Sequence, residues 1–242
     1  AKDLISQDPR LHYSARAAQS PEQRLESPTV RMRNFNSFAK AVLLERFLGQ
    51  LRKQVGGDTQ PISVLDLGCG KGGDLRKMVN CGVTNYCGVD VALGALEVLL
   101  GRVEAIGRDA QRARHGLLGV AGSPLKEVSL LRADCWRERL APIFDNTVRH
   151  GTARLDGLSE TWFHVVSSQM ACHYAFESEA SADMMLHNVA SRLCHGGLFV
   201  GTVPNAIRIV EAVQGAYEKA GELRTGNDLY QIDFEASNWA RV

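Results

Sequence analysis

The stretch Ile62-Ser63-Val64-Leu65-Asp66-Leu67-Gly68-Cys69-Gly70-Lys71-Gly72-Gly73-Asp74 narrows the choice of fold more than any other part of the chain. A short apolar run ends in a carboxylate, crosses a loop holding four glycines, and continues as Leu75-Arg76-Lys77-Met78. That order reads as a buried first strand of a parallel sheet, a tight turn and a helix start. Side chains on the loop would keep a ligand away from the backbone, and some positions need positive φ, so glycine answers both demands. The first N–H groups of the following helix lack intrahelical partners and aim at whatever lies over the loop.

The flanking sequence supplies the rest of such a sheet. Residues 1–30 are polar and broken by Pro9, Pro21 and Pro28, which predicts a flexible arm. From Val30 the pattern changes, and apolar residues at 38, 42, 43, 47 and 48 recur at helical spacing, predicting an N-terminal helical extension closed by Val55-Gly56-Gly57-Asp58. After the glycine loop a helix runs to about Val79, and Tyr86-Cys87-Gly88-Val89-Asp90 is the second strand. Residues 93–104 read as helix and 105–125 as a Gly- and Arg-rich insertion of low order. Val128–Asp134 is the third strand, Trp162–Gln169 the fourth, 178–193 a helix, and Leu198–Val203 the fifth strand. A helix then runs to about Lys219, and Leu229–Phe234 reads as one more strand. Strands alternating with helices at this pitch give an α/β fold with a doubly wound, mostly parallel sheet. Asp66, Asp90, Asp134 and Gln169 fall at the carboxyl ends of its strands, the edge where open α/β sheets bind ligands.

Composition sets the outer limits. With 242 residues, 45% of them hydrophobic, the chain has enough apolar surface for a full core. A formal net charge of +1 neither demands nor forbids nucleic acid. The six cysteines form no CxxC pair, which argues against a zinc site, and no metal ligand is assigned; those in predicted strands read as reduced core residues. No apolar run is long enough for a membrane span. The chain begins at Ala1 rather than methionine, as a piece of a longer protein would.

Three ligands compete for the glycine loop. Gly68-x-Gly70-x-x-Gly73 satisfies the dinucleotide spacing, which is unspecific by itself. A P-loop is excluded, because Gly70-Lys71 is followed by Gly72 rather than Ser or Thr. Asp66 favours a third ligand: a carboxylate there repels a dinucleotide's phosphates but tolerates an ammonium. Leu-Asp-Leu-Gly-Cys-Gly resembles motif I of the S-adenosylmethionine-dependent methyltransferases, whose loop holds the amino-acid end of that cofactor. The plainest alternative is an ordinary Gly-rich strand–helix turn.

Further stretches carry a more specific resemblance. His12-Tyr13, Arg33-Asn34-Phe35-Asn36 through Lys40, Leu65-Asp66-Leu67-Gly68-Cys69-Gly70-Lys71-Gly72-Gly73-Asp74-Leu75, Gly88–Ala92 and Ala133-Asp134 belong to it. So do Ser168-Gln169-Met170-Ala171-Cys172-His173-Tyr174-Ala175-Phe176-Glu177-Ser178, Ala182–Leu186, Gly196-Gly197, Pro204-Asn205 and Gly226-Asn227. In this combination the chain resembles the eukaryotic mRNA cap guanine-N7 methyltransferases from about residue 12 to 234, with breaks at 105–125 and around 136–160. The resemblance implies a Rossmann-like class I methyltransferase domain over 31–242 that binds S-adenosylmethionine and releases S-adenosylhomocysteine. It implies cofactor contacts from Lys40, Gly68, Asp90, Asp134, Gln169 and Tyr174. Of these, Lys40 would hold the methionine carboxylate, Asp90 the ribose and Asp134 the adenine amino group. Cap contacts are implied for Asn36, Lys71, Lys77, Arg102 and His173. The family's later cap-contacting glutamate and tyrosine have no counterpart that can be placed in this sequence. Further implications are a capped RNA 5′ end as partner, other capping enzymes or an activating subunit as associates, a monomeric catalytic unit, and a nuclear or cytoplasmic setting.

Guanine N7 has a free lone pair at neutral pH, so attack on a sulfonium methyl needs no general base, and no catalytic acid or base is assigned. Alignment of N7, methyl carbon and sulfur would carry the reaction, an effect worth roughly 7–11 kcal/mol. Plainer structural readings stand beside each residue. Asp90 and Asp134 suit solvated strand ends, Gln169 a turn cap, Lys71, Lys77 and Arg102 a solvated face, and Asn36 a helix cap. His173 alone suits an ordinary hydrogen-bonded histidine. Two other functions fit the cofactor half equally: a methyltransferase for another RNA position or small molecule, and a non-catalytic subunit binding S-adenosylmethionine or RNA.

Overall fold

A computed structural model describes residues 25–54, 60–114, 125–141 and 162–239. Most of the expected arm, up to residue 24, lies outside the described residues, as do 115–124 of the expected insertion. The chain divides into two compact units, one covering 36–203 and the other 204–239 together with residues before 36.

Five strands build the first unit: β1 (Ile62–Leu67), β2 (Val83–Asp90), β3 (Glu127–Arg132), β4 (Phe163–Gln169) and β5 (Leu193–Thr202). Their order is β3-β2-β1-β4-β5, and every pairing is parallel. The fold class read from the sequence is therefore the one observed. All six residues of β1 are buried. Successive side chains of a strand face opposite ways, and β1 divides accordingly. Ile62 and Val64 join a core with Leu44, Leu48 and Leu51 of α1 (Val30–Gln54) and with residues of α2 (Leu75–Asn80) and α3 (Leu93–Arg114). Leu65 and Leu67 join a second core with Met185 and Val189 of α4 (Glu179–Ala190). Full burial of each such side chain contributes about 1.5–3 kcal/mol, so the central strand is locked from both faces. Arg52 of α1 closes the C-terminal end of α2, donating from Nη2 to the carbonyls of Cys81 (3.3 Å) and Gly82 (2.7 Å). Cys69, Cys87, Cys135 and Cys172 are buried free thiols, and of these only Cys87 lies in a strand.

Several boundaries differ from expectation; β2 starts earlier, at Val83, and β3 ends at Arg132, two residues before Asp134. The third helix continues to Arg114 instead of yielding to a loop at 105, because Ile106 extends the apolar stripe of Leu99 and Val103 and the alanines and arginines that follow are good helix formers. The fourth strand starts at Phe163; Trp162 is exposed, and its carbonyl accepts from the Ser63 hydroxyl at 3.2 Å. The fifth starts at Leu193, with a register irregularity before the paired run that begins at Leu198.

In the second unit, α5 (Ala206–Ala220) is capped by the Asn205 side chain, which accepts from the Arg208 N–H at 3.1 Å, and ends at Gly221 with φ +70°. The strand expected over 229–234 contracts to β7 (Gln231–Asp233). It pairs antiparallel with β6 (Arg224–Gly226) and stands apart from the main sheet. Asn227 explains the contraction, since its Oδ1 accepts from Leu229 N–H (2.9 Å) and Tyr230 N–H (3.3 Å) and makes that segment a turn. Trp239, in the short α6 (Ala236–Trp239), packs against Tyr217 and Phe234 with ring centroids 6.1 and 5.9 Å away.

Two adjacent glycines of the loop separate backbone need from open space. Gly72 has φ +68°, and a Cβ there would lie 2.1 Å from Cδ1 of fully buried Leu99; Gly73 lacks a positive φ, and a Cβ there would meet nothing within 4 Å. Gly72→Ala is expected to destabilise by about 2 kcal/mol and Gly73→Ala by less than about 0.5 kcal/mol, both read from urea unfolding.

Candidate active site

The glycine turn is fastened to the end of β2. Val89 O accepts from both Gly68 N–H (2.8 Å) and Cys69 N–H (3.1 Å). One residue on, Asp90 Oδ2 accepts from Gly70 N–H at 2.7 Å, and its Oδ1 accepts from Ala92 N–H at 2.8 Å. Burial raises the Asp90 pKa, and the N–H groups of Ala92, Gly70 and Val91 act against that rise. Each carboxylate oxygen has two lone pairs, so Asp90 can hold the turn and still accept from a hydroxyl. Gly68 and Gly70 both have positive φ, and nothing lies within 4 Å of where a Cβ on Gly70 would stand.

Three strand ends converge on Gly68. A Cβ there would come within 2.5 Å of Ala171 Cβ, beyond β4, and 3.5 Å of Trp136 Cζ2, beyond β3. Asp134, half-buried, follows β3; Glu138 Oε1 accepts from its N–H at 2.9 Å, and Asp134 Oδ1 accepts from Trp136 N–H at 3.2 Å. Gln169 is buried and largely occupied: Nε2 donates to Ser167 Oγ (3.3 Å) and Val200 O (3.1 Å), while Oε1 accepts from Thr202 Oγ1 (3.1 Å). One acceptor lone pair of that amide is left for a ligand. Met170 follows with φ +59°, held by its N–H donating to Thr202 O at 2.9 Å. A side chain in this region costs about 1–2 kcal/mol, and such strain gathers at functional sites. His173 and Tyr174 lie on the 3-10 turn Cys172–Glu177, half-buried, with ring centroids 4.4 Å apart. His173 Nδ1 is buried without a hydrogen-bond partner, and burial lowers the ring's pKa. An orphaned ring nitrogen beside a binding edge is suited to a ligand's polar group.

The basic side of the rim is built around Asp74. Its Oδ2 accepts from Lys40 Nζ at 2.7 Å and its Oδ1 from Lys77 Nζ at 2.9 Å, with Lys77 also donating to Gly73 O at 3.0 Å. Thus an α1 lysine and an α2 lysine, assigned from the sequence to cofactor and cap respectively, share one carboxylate. Lys71 lies half-exposed in the turn, Arg102 half-buried on α3, and Asn36 half-buried on α1.

Asp66 departs from its expected place on the exposed edge. It is the penultimate residue of β1, on the face covered by α1, and it is buried; Tyr86 Oη donates to its Oδ2 at 2.8 Å. Burial, reinforced by Asp74, raises its pKa to about 7 against opposing hydrogen bonds from Tyr86 and Ser167 and the charge of Lys40. A strand ending in acid looks the same in sequence whether that acid points out of the rim or under it. Tyr86 and Asp74 drew no role from the sequence; the only local signal was the Asp74–Lys77 spacing at the helix start.

Strand order and glycine-turn rim define a Rossmann-like α/β domain of the class I methyltransferase type. The mRNA (guanine-N(7))-methyltransferase domain profile matches residues 3–241. The chain belongs to that family. Among its relatives are proteins named mRNA cap guanine-N(7) methyltransferase from Schizosaccharomyces pombe (33% identical over 237 residues, 98% of this chain and 55% of the relative) and Candida albicans (33% over 234 residues, 93% and 46%). An Oryza sativa protein, mRNA cap guanine-N(7) methyltransferase 1, is 31% identical over 223 residues, 92% of this chain and 51% of the relative. The chain spans about half the length of these relatives. Among solved structures, the sugar N-methyltransferase KedS8 from Streptoalloteichus sp is similar at a TM-score of 0.44 and 15% identity, over 76% of this chain and 54% of that one.

The Asp66 environment predicts a pH dependence. Its folded pKa is raised, so between about pH 4 and 7 the native state holds a proton that the unfolded chain releases, and stability falls as pH rises through that interval. Asp66→Asn removes this dependence. Measured by urea unfolding without added cofactor, the variant should gain on the wild type by at most about 1.4 kcal/mol per pH unit between pH 4 and 7, with no further gain above.

Proposed function

We propose that this domain transfers the methyl group of S-adenosylmethionine to N7 of the guanine in a GpppN cap. The observation that carries the reading is the Asp90-fastened glycine turn, open at Gly70, at a sheet edge where Asp134 follows β3, Gln169 ends β4 and Tyr174 lies on the 3-10 turn beyond it. A nucleoside fits that edge: Asp90 retains acceptor capacity for ribose hydroxyls, Asp134 offers a carboxylate for an adenine amino group, and the turn that starts at Gly68 and is open at Gly70 would present backbone to the amino-acid end. Lys40, on α1 and paired with Asp74 beside the turn, would meet the methionine carboxylate, while Asp66, buried and hydrogen-bonded by Tyr86, supports the turn from beneath the sheet edge.

The cofactor supplies a sulfonium-activated methyl group, and the protein supplies position. Guanine N7 donates its lone pair to the methyl carbon as the carbon–sulfur bond breaks, so no side chain has to remove a proton. His173, with its unpartnered Nδ1, and Tyr174 beside it would hold the guanine edge and face, where stacking is worth about 1–3 kcal/mol. Asn36, Lys71, Lys77 and Arg102 would receive the triphosphate. Lys77 shares Asp74 with Lys40, so this cluster keeps a net positive charge that a phosphate would attract. Capped RNA is accordingly the proposed partner.

The direct test is transfer of labelled methyl to GpppG, set against GTP, ATP and uncapped RNA. Labelling confined to GpppG supports the reading, and equal labelling of uncapped RNA contradicts the cap assignment. For the cofactor side, Asp90→Ala should weaken S-adenosylhomocysteine binding by at least about tenfold in calorimetry; unchanged affinity would contradict the ribose role.

A further inference from the structure

Next to the basic side of the rim lies a cavity that shares only Arg102 with these contacts. This cavity of about 250 Å3 is lined by Gly72 and Gly73 of the glycine turn, Leu75 and Arg76 at the start of α2, and Arg102, Ala105 and Ile106 of α3. Gly73 has neither a positive φ nor a neighbour within 4 Å of where its Cβ would stand, so neither backbone strain nor packing within the chain demands glycine there. Bare backbone facing open space is a surface against which a ligand group can lie. Arg76 Nη2 donates to Asp109 Oδ2 at 2.8 Å, and both side chains are well exposed, at 54% and 39%. An exposed pair of this kind holds by at most about 1 kcal/mol, so Arg76 can exchange Asp109 for another anion at little cost. Two guanidinium groups therefore line this place, and Arg76 holds its carboxylate partner only weakly.

Those properties fit one phosphodiester with its sugar. The phosphate carries one negative charge, arginine binds it in a forked geometry, and apolar Ala105 and Ile106 suit a ribose. Arg102 also belongs to the proposed triphosphate contacts, so the cavity continues the path a capped chain would follow away from the guanine. We propose that this cavity is a subsite for the transcript itself, taking the phosphodiester after the cap between Arg76 and Arg102, with Asp109 as the counter-ion that RNA displaces. The inference rests on the cap reading above.

The test compares kcat/KM for GpppG with that for a GpppG-capped RNA decamer, and follows an uncapped 5′-labelled decamer by fluorescence anisotropy. The wild type should favour the capped decamer. Arg76→Ala should lower kcat/KM for the capped decamer by about tenfold, move that for GpppG by less than about twofold, and reduce the salt slope of decamer binding by about one. Asp109→Asn should strengthen decamer binding and steepen the slope, a result that loss of a merely structural ion pair would not give. Equal losses on both substrates, no preference of the wild type for the decamer, or weaker binding by Asp109→Asn would each overturn the subsite. If the wild type methylates neither substrate, the cap reading fails, and the anisotropy of the two variants still decides whether single-stranded RNA binds here.

Discussion

Three backbone N–H groups of the glycine turn are captured by the last two residues of β2, and the rest of the site depends on that capture. Val89 O receives two of them and the Asp90 carboxylate the third. A turn with alternating positive φ values has no regular secondary structure to satisfy its amides, and buried amides must find partners. Supplying those partners from the neighbouring strand makes turn and sheet edge one body. It also fixes the entry to α2, and with it the positions of Lys71, Asp74 and Lys77. Gly68 can then sit against Ala171, which draws the segment after β4, with its histidine and tyrosine, to the same edge.

Charge is distributed around this turn with a consistent logic. Two carboxylates lie on the face of the sheet covered by α1, and the protein treats them oppositely. Asp66 is walled off, hydrogen-bonded by Tyr86 and pushed by burial toward its neutral form. Asp74, nearer the surface, has a lysine on each oxygen. An ionised pair so close together would be costly, and separating the two by environment relieves that repulsion. The lysines stay clustered around one carboxylate, a geometry that suits anionic ligand groups arriving at the rim. Arg76 and Asp109 repeat the arrangement further out, at an exposed place where the pairing is weaker.

Most of the framework was legible in the sequence because it rests on local patterns. β1 is a continuous apolar run, the glycine spacing marks the turn, and Asp90 closes a strand at the distance expected for a ribose carboxylate. What was not legible depends on which way a side chain points or on partners far apart in the chain. Lys40 and Asp74 are 34 residues apart, and no periodicity connects them. Asp66 and Tyr86, 20 residues apart, meet only because β1 and β2 lie side by side. The arginines of 105–114 suggested a loose insertion, yet Ile106 continues the buried stripe and the helix persists. Met170 adopts its left-handed conformation in response to Thr202 on the adjacent strand, which nothing in its own neighbourhood in sequence announces.

The central claim is that the strand-end rim is a nucleoside site with a purine–polyphosphate site beside it. A crystal structure of the protein with S-adenosylhomocysteine and GpppG bound tests this most directly. The account predicts the ribose of the thioether nucleoside on Asp90, and the cap guanine beside His173 with N7 facing the sulfur. A rim without the nucleoside, or a guanine bound with N7 turned away from the sulfur, would contradict it.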